Sequence, residues 1–172
     1  MWSGSYTGNV VDAAAILRKR VAPDVETCVR YINAIIPELD NQLPFIRTSN
    51  VFDTRYVYEK LRDSIVEAQH SCCDIVNIIS EEDAMYYIDP IETLHDKTLT
   101  LLSLFREKVE DFNFLVKIVV SSQINDLNLL TTGLYTCFTV FTPQKQIDIL
   151  QNNKEDLQKS FNLTLTTYDS IF

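Results

Sequence analysis

Glycine is scarce in this chain. Of its 172 residues only Gly4, Gly8 and Gly133 are glycines, where average usage of about 7% would give about a dozen. Glycine supplies the positive-φ positions of tight turns and of loops that hold phosphate groups. Phosphate-binding loops and dinucleotide fingerprints also need two or three glycines at fixed spacing. The sequence therefore disfavours nucleotide-binding α/β folds and turn-rich β folds. It favours a few long helices with few connections.

Apolar residues recur every three or four positions along most of the chain, which is the pattern of amphipathic helices. Ser80 and the acidic residues 81–83 form a helix-start signal, and Asp89-Pro90 forms another. Pro37 should bend or end the helix in which it lies, with residues 43–46 as a packed connection. The expected helices cover residues 10–21, 25–39, 57–79, 90–119, 127–141 and 147–168.

These elements predict an all-α protein, a single helical domain over residues 1–172. It would be a bundle of five to six helices with a largely apolar central helix. Residues 1–8 precede the periodic pattern and are expected to form a flexible N-terminal arm. Residues 112–142 are also rich in Val, Thr, Ile and aromatic residues, which favour strands. An α+β fold with a small hairpin there is the alternative.

Acidic residues outnumber basic ones, and the excess lies in one part of the chain. The formal net charge is −9, with +1 on residues 1–62 and −10 on residues 63–172. Such a body repels phosphate backbones and anionic headgroups, so no nucleic-acid partner is expected. Residues 118–144 carry one charge, Asp126, but contain too many Thr, Asn and Gln residues for a transmembrane span.

Four cysteines raise the question of the redox compartment. Cys28, Cys72, Cys73 and Cys137 fit small apolar core residues best, and two disulfides are the alternative. Adjacent Cys72 and Cys73 would project about 100° apart on a helix. Residues 1–17 lack the features of a signal peptide. The localisation is therefore undetermined; a soluble, cytoplasmic protein is slightly favoured over a secreted mature chain without its signal peptide.

No pattern of catalytic or metal-binding residues stands out. The two histidines, His70 and His95, and the cysteines lack the paired spacing of zinc ligands. No nucleophile elbow or EF-hand loop occurs. We therefore predict a non-enzymatic protein without catalytic, cofactor-binding or metal-binding residues and without a cofactor.

The first functional hypothesis is a protein–protein interaction module that binds an amphipathic helix in an apolar groove. Its candidate contact residues for a partner or ligand are Tyr86, Tyr87, Gly133 and Phe138. The predicted arrangement, a largely uncharged helix surrounded by amphipathic ones, is similar to the layout of Bcl-2-like domains. This resemblance would imply a groove that binds an amphipathic helix. The Asn-Trp-Gly-Arg signature of that family is missing, since the internal glycine lies in Thr132-Gly133-Leu134.

Two alternatives belong to different functional classes. One is a secreted helical carrier of a small apolar ligand, which predicts oxidised cysteines and an internal cavity. The other is a structural or assembly subunit that forms homo-oligomers through its 90–119 helix.

Overall fold

Five α-helices and one short 3₁₀-helix make up the described part of the chain. The structure is a computed structural model that describes residues 21–48 and 51–170, with the backbone alone at 51–54. The helices are α1 (Pro23–Thr48), α2 (Val51–Cys73), α3 (Glu81–Lys108), α4 (Phe114–Phe141) and α5 (Gln144–Asp169), with the 3₁₀-helix at Val109–Asp111. The predicted 10–21 helix and the 1–8 arm lie outside the described residues, apart from Val21.

The all-α prediction is confirmed, and the hairpin alternative over residues 112–142 does not occur. Helix α4 is continuous through that segment. The side chain of Asn113 caps its start by accepting a hydrogen bond from the Val116 N–H at 3.0 Å. Local strand propensity is outweighed here because α4 buries its apolar residues against neighbouring helices.

Helix α1 continues past the point where the sequence predicts its end. Pro37 and Pro44 both lie inside it, although each removes a backbone N–H and crowds the preceding turn. Leu39, Gln42 and Ile46 are buried beyond Pro37 on the face that also buries Ile35. Burial of this continuous face outweighs the cost of the two prolines.

The predicted boundaries around residue 80 also shift. Helix α2 ends at Cys73, and residues 74–80 form an irregular connection in which the Ile79 N–H donates to the Phe141 carbonyl at 2.9 Å. The Ser80 cap is confirmed, since its Oγ accepts from the Asp83 N–H at 3.1 Å. Helix α3 starts there and runs through Pro90, which therefore marks no helix start.

The helices form a closed ring. Helix α1 packs against α2 and α3, α4 packs against α2 and α5, and α3 and α5 pack together. The order around the ring is therefore α1, α2, α4, α5, α3 and back to α1. Each helix buries one face towards the centre, as an amphipathic helix in a bundle does. No helix of the described part is long and apolar enough to cross a membrane.

All four cysteines form disulfides, so the prediction of buried free thiols is wrong. Cys28 of α1 is bonded to Cys72 of α2, and Cys73 of α2 to Cys137 of α4. Adjacent side chains on a helix diverge by about 100°, so Cys72 and Cys73 reach opposite neighbours. Both bonds lie where α2 and α4 end, which we call the cysteine end of the ring.

We expect each disulfide to contribute about 4 kcal/mol to the free energy of unfolding. The bonds link residues 44 and 64 positions apart, and loops of that length lose this much entropy of the unfolded chain when closed. Chemical denaturation of the Cys73→Ser/Cys137→Ser double variant should measure the loss. Thiol titration of the denatured, unreduced parent should detect no free thiol, and four free thiols would contradict the assignment.

Candidate functional site

Two of the four candidate contact residues lie together in the core. Tyr87 of α3 and Phe138 of α4 are fully buried, with ring centroids 6.5 Å apart. Tyr135 and Phe141 join them in a cluster at the cysteine end, where the centroids of Tyr135 and Phe138 are 5.1 Å apart and those of Tyr87 and Phe141 5.5 Å. The Tyr135 hydroxyl crosses the ring to donate to the Ile91 carbonyl at 3.3 Å. This aromatic cluster closes the interior at the cysteine end.

The other two candidates lie elsewhere. Tyr86 is exposed and lines a shallow groove with residues of the first turns of α1. Gly133 lies at the α2–α4 interface, and a Cβ atom there would be 2.8 Å from the Nε2 of Gln69. That Nε2 donates to the Leu130 carbonyl at 2.6 Å. Gly133 therefore makes room for an interhelical hydrogen bond.

The interior of the ring is apolar over most of its length. Its largest fully buried side chains belong to all five helices: Ile32, Ile35, Ile46, Leu61, Tyr87, Ile91, Leu101, Tyr135, Phe138, Phe141, Phe161 and Tyr168. Buried polar groups are mostly satisfied locally, as where Thr98 donates to the Leu94 carbonyl at 2.7 Å. No group of three His, Cys, Asp or Glu side chains within residues 21–48 and 55–170 is placed to hold a metal ion. An apolar chain is the ligand that such an interior suits.

Helices α2 and α4 run parallel and in register. The Cys73–Cys137 and Arg62–Asp126 pairs are both separated by 64 residues, so corresponding residues stay at equal height. The pairs are eleven residues apart, about 16 Å along a helix. The α2–α4 seam is therefore covalently closed at the cysteine end and held by polar side chains farther up.

Those polar side chains form a cluster around one carboxylate. Asp126 Oδ2 accepts from the Tyr58 hydroxyl at 2.6 Å and from Arg62 Nε at 3.1 Å. Tyr58 is 8% exposed. Burial, and next the hydrogen bond to Asp126, raise the pKa of Tyr58 well above its usual value. The hydroxyl thus stays a donor, and the cluster ties α2 to α4.

Beyond this cluster the seam widens into a groove of about 600 Å³, which we call the α2–α4 groove. Ile118 and Val119 line it with partly exposed apolar surface, and Arg55 lies at its rim. Its wall includes Gln123, which is only 8% exposed. The Gln123 Oε1 is buried without a hydrogen-bond partner among the described residues. A buried amide oxygen without a partner favours binding of a group that can donate to it.

No motif in the sequence identifies Tyr58, Arg62, Gln123 and Asp126 as a site. One signal was present, because Asp126 is the single charge between residues 118 and 144. A single carboxylate on an otherwise apolar helix is costly to bury unless a donor pairs with it, so a partner is expected. Nothing in the sequence indicates that residues 64 positions away on another helix would supply it.

The fold matches solved ligand-binding domains. Ligand-binding domain 2 of the Penicillium marneffei MP1 protein, in complex with arachidonic acids, aligns with a TM-score of 0.76 at 12% identity, covering 87% of this chain and 96% of that one. Domain 1 of the same protein, also complexed with arachidonic acids, gives 0.75 at 9% identity, with coverages of 84% and 98%. AFMP4P in complex with palmitic acid gives 0.75 at 14% identity, with coverages of 84% and 99%. At these identities the likeness shows the fold.

No protein-family model matches the chain, and no curated protein matches it.

The structural matches correct the main functional hypothesis of the sequence analysis. That hypothesis, an interaction module with a protein partner that docks a helix in a groove, is wrong, because the domains with this fold hold fatty acids as ligands. The apolar stripe of residues 90–119, suggested for assembly, is buried within the ring at Ile91, Leu94, Leu101 and Phe105.

The effect of replacing Gly133 on the free energy of unfolding should depend on the size of the new side chain. Gly133→Ala displaces the Gln69 amide and loses a hydrogen bond of about 1 kcal/mol, but gains about 1 kcal/mol of helix propensity. Its stability should therefore stay near that of the parent. Gly133→Leu should separate α2 from α4 and lower the free energy of unfolding by about 1–3 kcal/mol. Urea denaturation measures both, and equal stabilities for the two variants would contradict the close approach at this position.

Stability should fall at alkaline pH. Burial raises the pKa of Tyr87 to about 12, although its hydrogen bond to Thr142 opposes the shift. A tyrosine with a raised pKa stabilises the fold below pH 10, where both states are protonated, and this contribution is lost as pH rises towards the folded-state value. Burial also raises the pKa of Tyr135 and Tyr168. Tyrosinate absorbance and circular dichroism should show these groups ionising together with unfolding, whereas ionisation without loss of helix would contradict their burial.

Proposed function

We propose that this chain binds a long-chain fatty acid or a similar amphiphile inside its helical ring and carries it without catalysing a reaction. The observation that carries the proposal is the closed ring itself. Its inner faces are apolar on all five helices, and the same fold occurs in domains that hold arachidonic acid or palmitic acid.

The physical chemistry of the interior supports this ligand class. Transfer of a methylene group from water to an apolar site is favourable by about 0.8 kcal/mol, so a long acyl chain gains most from an extended apolar lining. Most buried side chains are branched aliphatic or aromatic. The buried polar and charged side chains are fewer and include His95 and Lys117.

The two disulfides support a place in an oxidising compartment. Such bonds form and persist in the secretory pathway and outside the cell, and all four cysteines of this chain take part in them. An extracellular carrier also needs solubility independent of its ligand, which the net charge of −9 promotes.

Direct binding of palmitic acid and arachidonic acid tests the proposal. The oxidised chain should be delipidated and titrated below the micelle concentration of each acid, with native mass spectrometry for stoichiometry and thermal unfolding for linkage. A ligand at 100 times its Kd should stabilise the fold by about 2.7 kcal/mol. We therefore expect a saturable complex and a higher Tm.

Butyric acid serves as the control, because it has the same headgroup and almost no acyl chain to bury. It should neither form a stable complex nor raise the Tm at the same concentrations. If the long-chain acids behave like butyric acid, the carrier proposal fails.

A further inference from the structure

We propose that the α2–α4 groove is the mouth through which the ligand's acyl chain enters the ring and the site that holds its polar headgroup. The inference rests on the proposed function and adds a place and an orientation. The acyl chain would lie between the inner faces of the helices. The headgroup would remain beside Gln123, Tyr58 and Arg62.

The way the seam is held favours an opening at this place. At the cysteine end, α2 and α4 are joined by the Cys73–Cys137 disulfide and by the Gln69 hydrogen bond to the Leu130 carbonyl. At the groove the hydrogen bonds described across the seam are side-chain bonds to Asp126, above the packed apolar side chains of the core. The two helices can therefore part at the groove, with the disulfide as the fixed point, without breaking a covalent or backbone bond.

The residues behind the cluster provide the path inward. Leu61 and Ile65 of α2 and Ile124 and Leu127 of α4 are buried directly below it in the core. Ile118 and Val119 carry apolar surface from the groove to the outside. An acyl chain that enters here meets apolar side chains from the rim to the interior, as transfer from water requires.

The polar groups of the groove match a carboxyl headgroup. The Gln123 amide can donate through its nitrogen or accept through its unpaired oxygen. The unpaired oxygen suits the hydroxyl of a carboxylic acid or an alcohol, whereas a carboxylate would need the amide nitrogen as its donor. Tyr58 and Arg62 are donors, and one oxygen of Asp126 now accepts from the Tyr58 hydroxyl and from the Arg62 Nε–H. A ligand carboxylate would compete with Asp126 for them, so Asp126 should weaken binding of the anion.

The groove between α1 and α3 is a less suitable entrance. It encloses about 560 Å³ and contains Arg47 and Arg106. Arg106 is already bonded to the hydroxyls of Ser160 and Thr164, at 3.1 Å and 2.7 Å. None of the residues that line it has a buried polar atom without a partner among the described residues. It therefore lacks the unsatisfied buried group that distinguishes the α2–α4 groove.

Two pairs of variants test the assignment with palmitic acid and hexadecanol as probes. Gln123→Leu removes the buried amide at the groove. Its matched control is Gln146→Leu, because Gln146 is also buried with an unpaired Oε1 but lies in the first turn of α5. Asp126→Asn removes the competing carboxylate. Its control is Asp40→Asn, which also breaks an interhelical ion pair, with Lys97 at 2.7 Å.

The inference predicts opposite shifts from the two groove variants. Gln123→Leu should raise the Kd for palmitic acid roughly tenfold, the effect of losing one hydrogen bond in a buried site. Asp126→Asn should lower the Kd for palmitic acid. It should leave the Kd for hexadecanol unchanged, because an uncharged alcohol does not compete with Asp126 as an anion does. Both control variants should bind like the parent.

Each other outcome is decisive. If the parent binds palmitic acid and the groove variants match their controls, the mouth lies elsewhere and the carrier proposal stands. If Asp126→Asn tightens both probes equally, the cluster acts as a clasp only and the headgroup assignment is wrong. If the parent binds neither probe, the proposed function fails before the groove is at issue.

Discussion

The fold depends on a covalent junction made by two adjacent residues. Cys72 and Cys73 diverge on α2, so one bonds to α1 and the other to α4. One helix is thereby tied to both of its neighbours at one end of the ring. The aromatic cluster around Phe138 packs at the same end and joins α3 to α4 across the interior. Consequently the cysteine end is the part of the ring that resists separation most strongly.

A chain poor in glycine suits this architecture. The connections from α3 to α4 and from α4 to α5 use a 3₁₀-helix, Asn113 as a cap and Pro143 in place of glycine turns. Long helices then supply inner faces without interruption, at the cost of prolines inside α1 and α3. Gly133 is the glycine that the helices do use. It lies in the α2–α4 seam, where the Gln69 side chain approaches the backbone closely.

The sequence predicts the helical class because periodicity is a local property, and the Ser80 cap could be found for the same reason. Helix ends were harder to predict. Pro37 and Pro90 are strong local stop or start signals, yet burial of residues on both sides of each keeps the helix intact. The cysteines could be counted but not paired, because pairing depends on which helices are neighbours in the ring. Tyr58, Arg62 and Asp126 became a cluster only through the parallel register of α2 and α4, which no local pattern encodes.

Along the α2–α4 seam, the contacts at the cysteine end are stronger than those at the other end, so the two ends of the ring differ. A disulfide that closes a long loop stabilises by about 4 kcal/mol, whereas an ion pair at a partly exposed carboxylate contributes about 1 kcal/mol or less. Asp126 is such a carboxylate, with 37% of its side chain exposed. We therefore expect the two helices to separate more readily at Asp126 than at Cys137. If disulfides joined every pair of neighbouring helices at both ends, the interior would stay closed to an acyl chain. If no disulfide joined any pair, the ring would have no fixed point and would have to open as a whole. Because the disulfide of the α2–α4 seam lies at the cysteine end, an opening of this seam would be confined to the other end, where the unpaired Gln123 oxygen and partly exposed apolar side chains lie together.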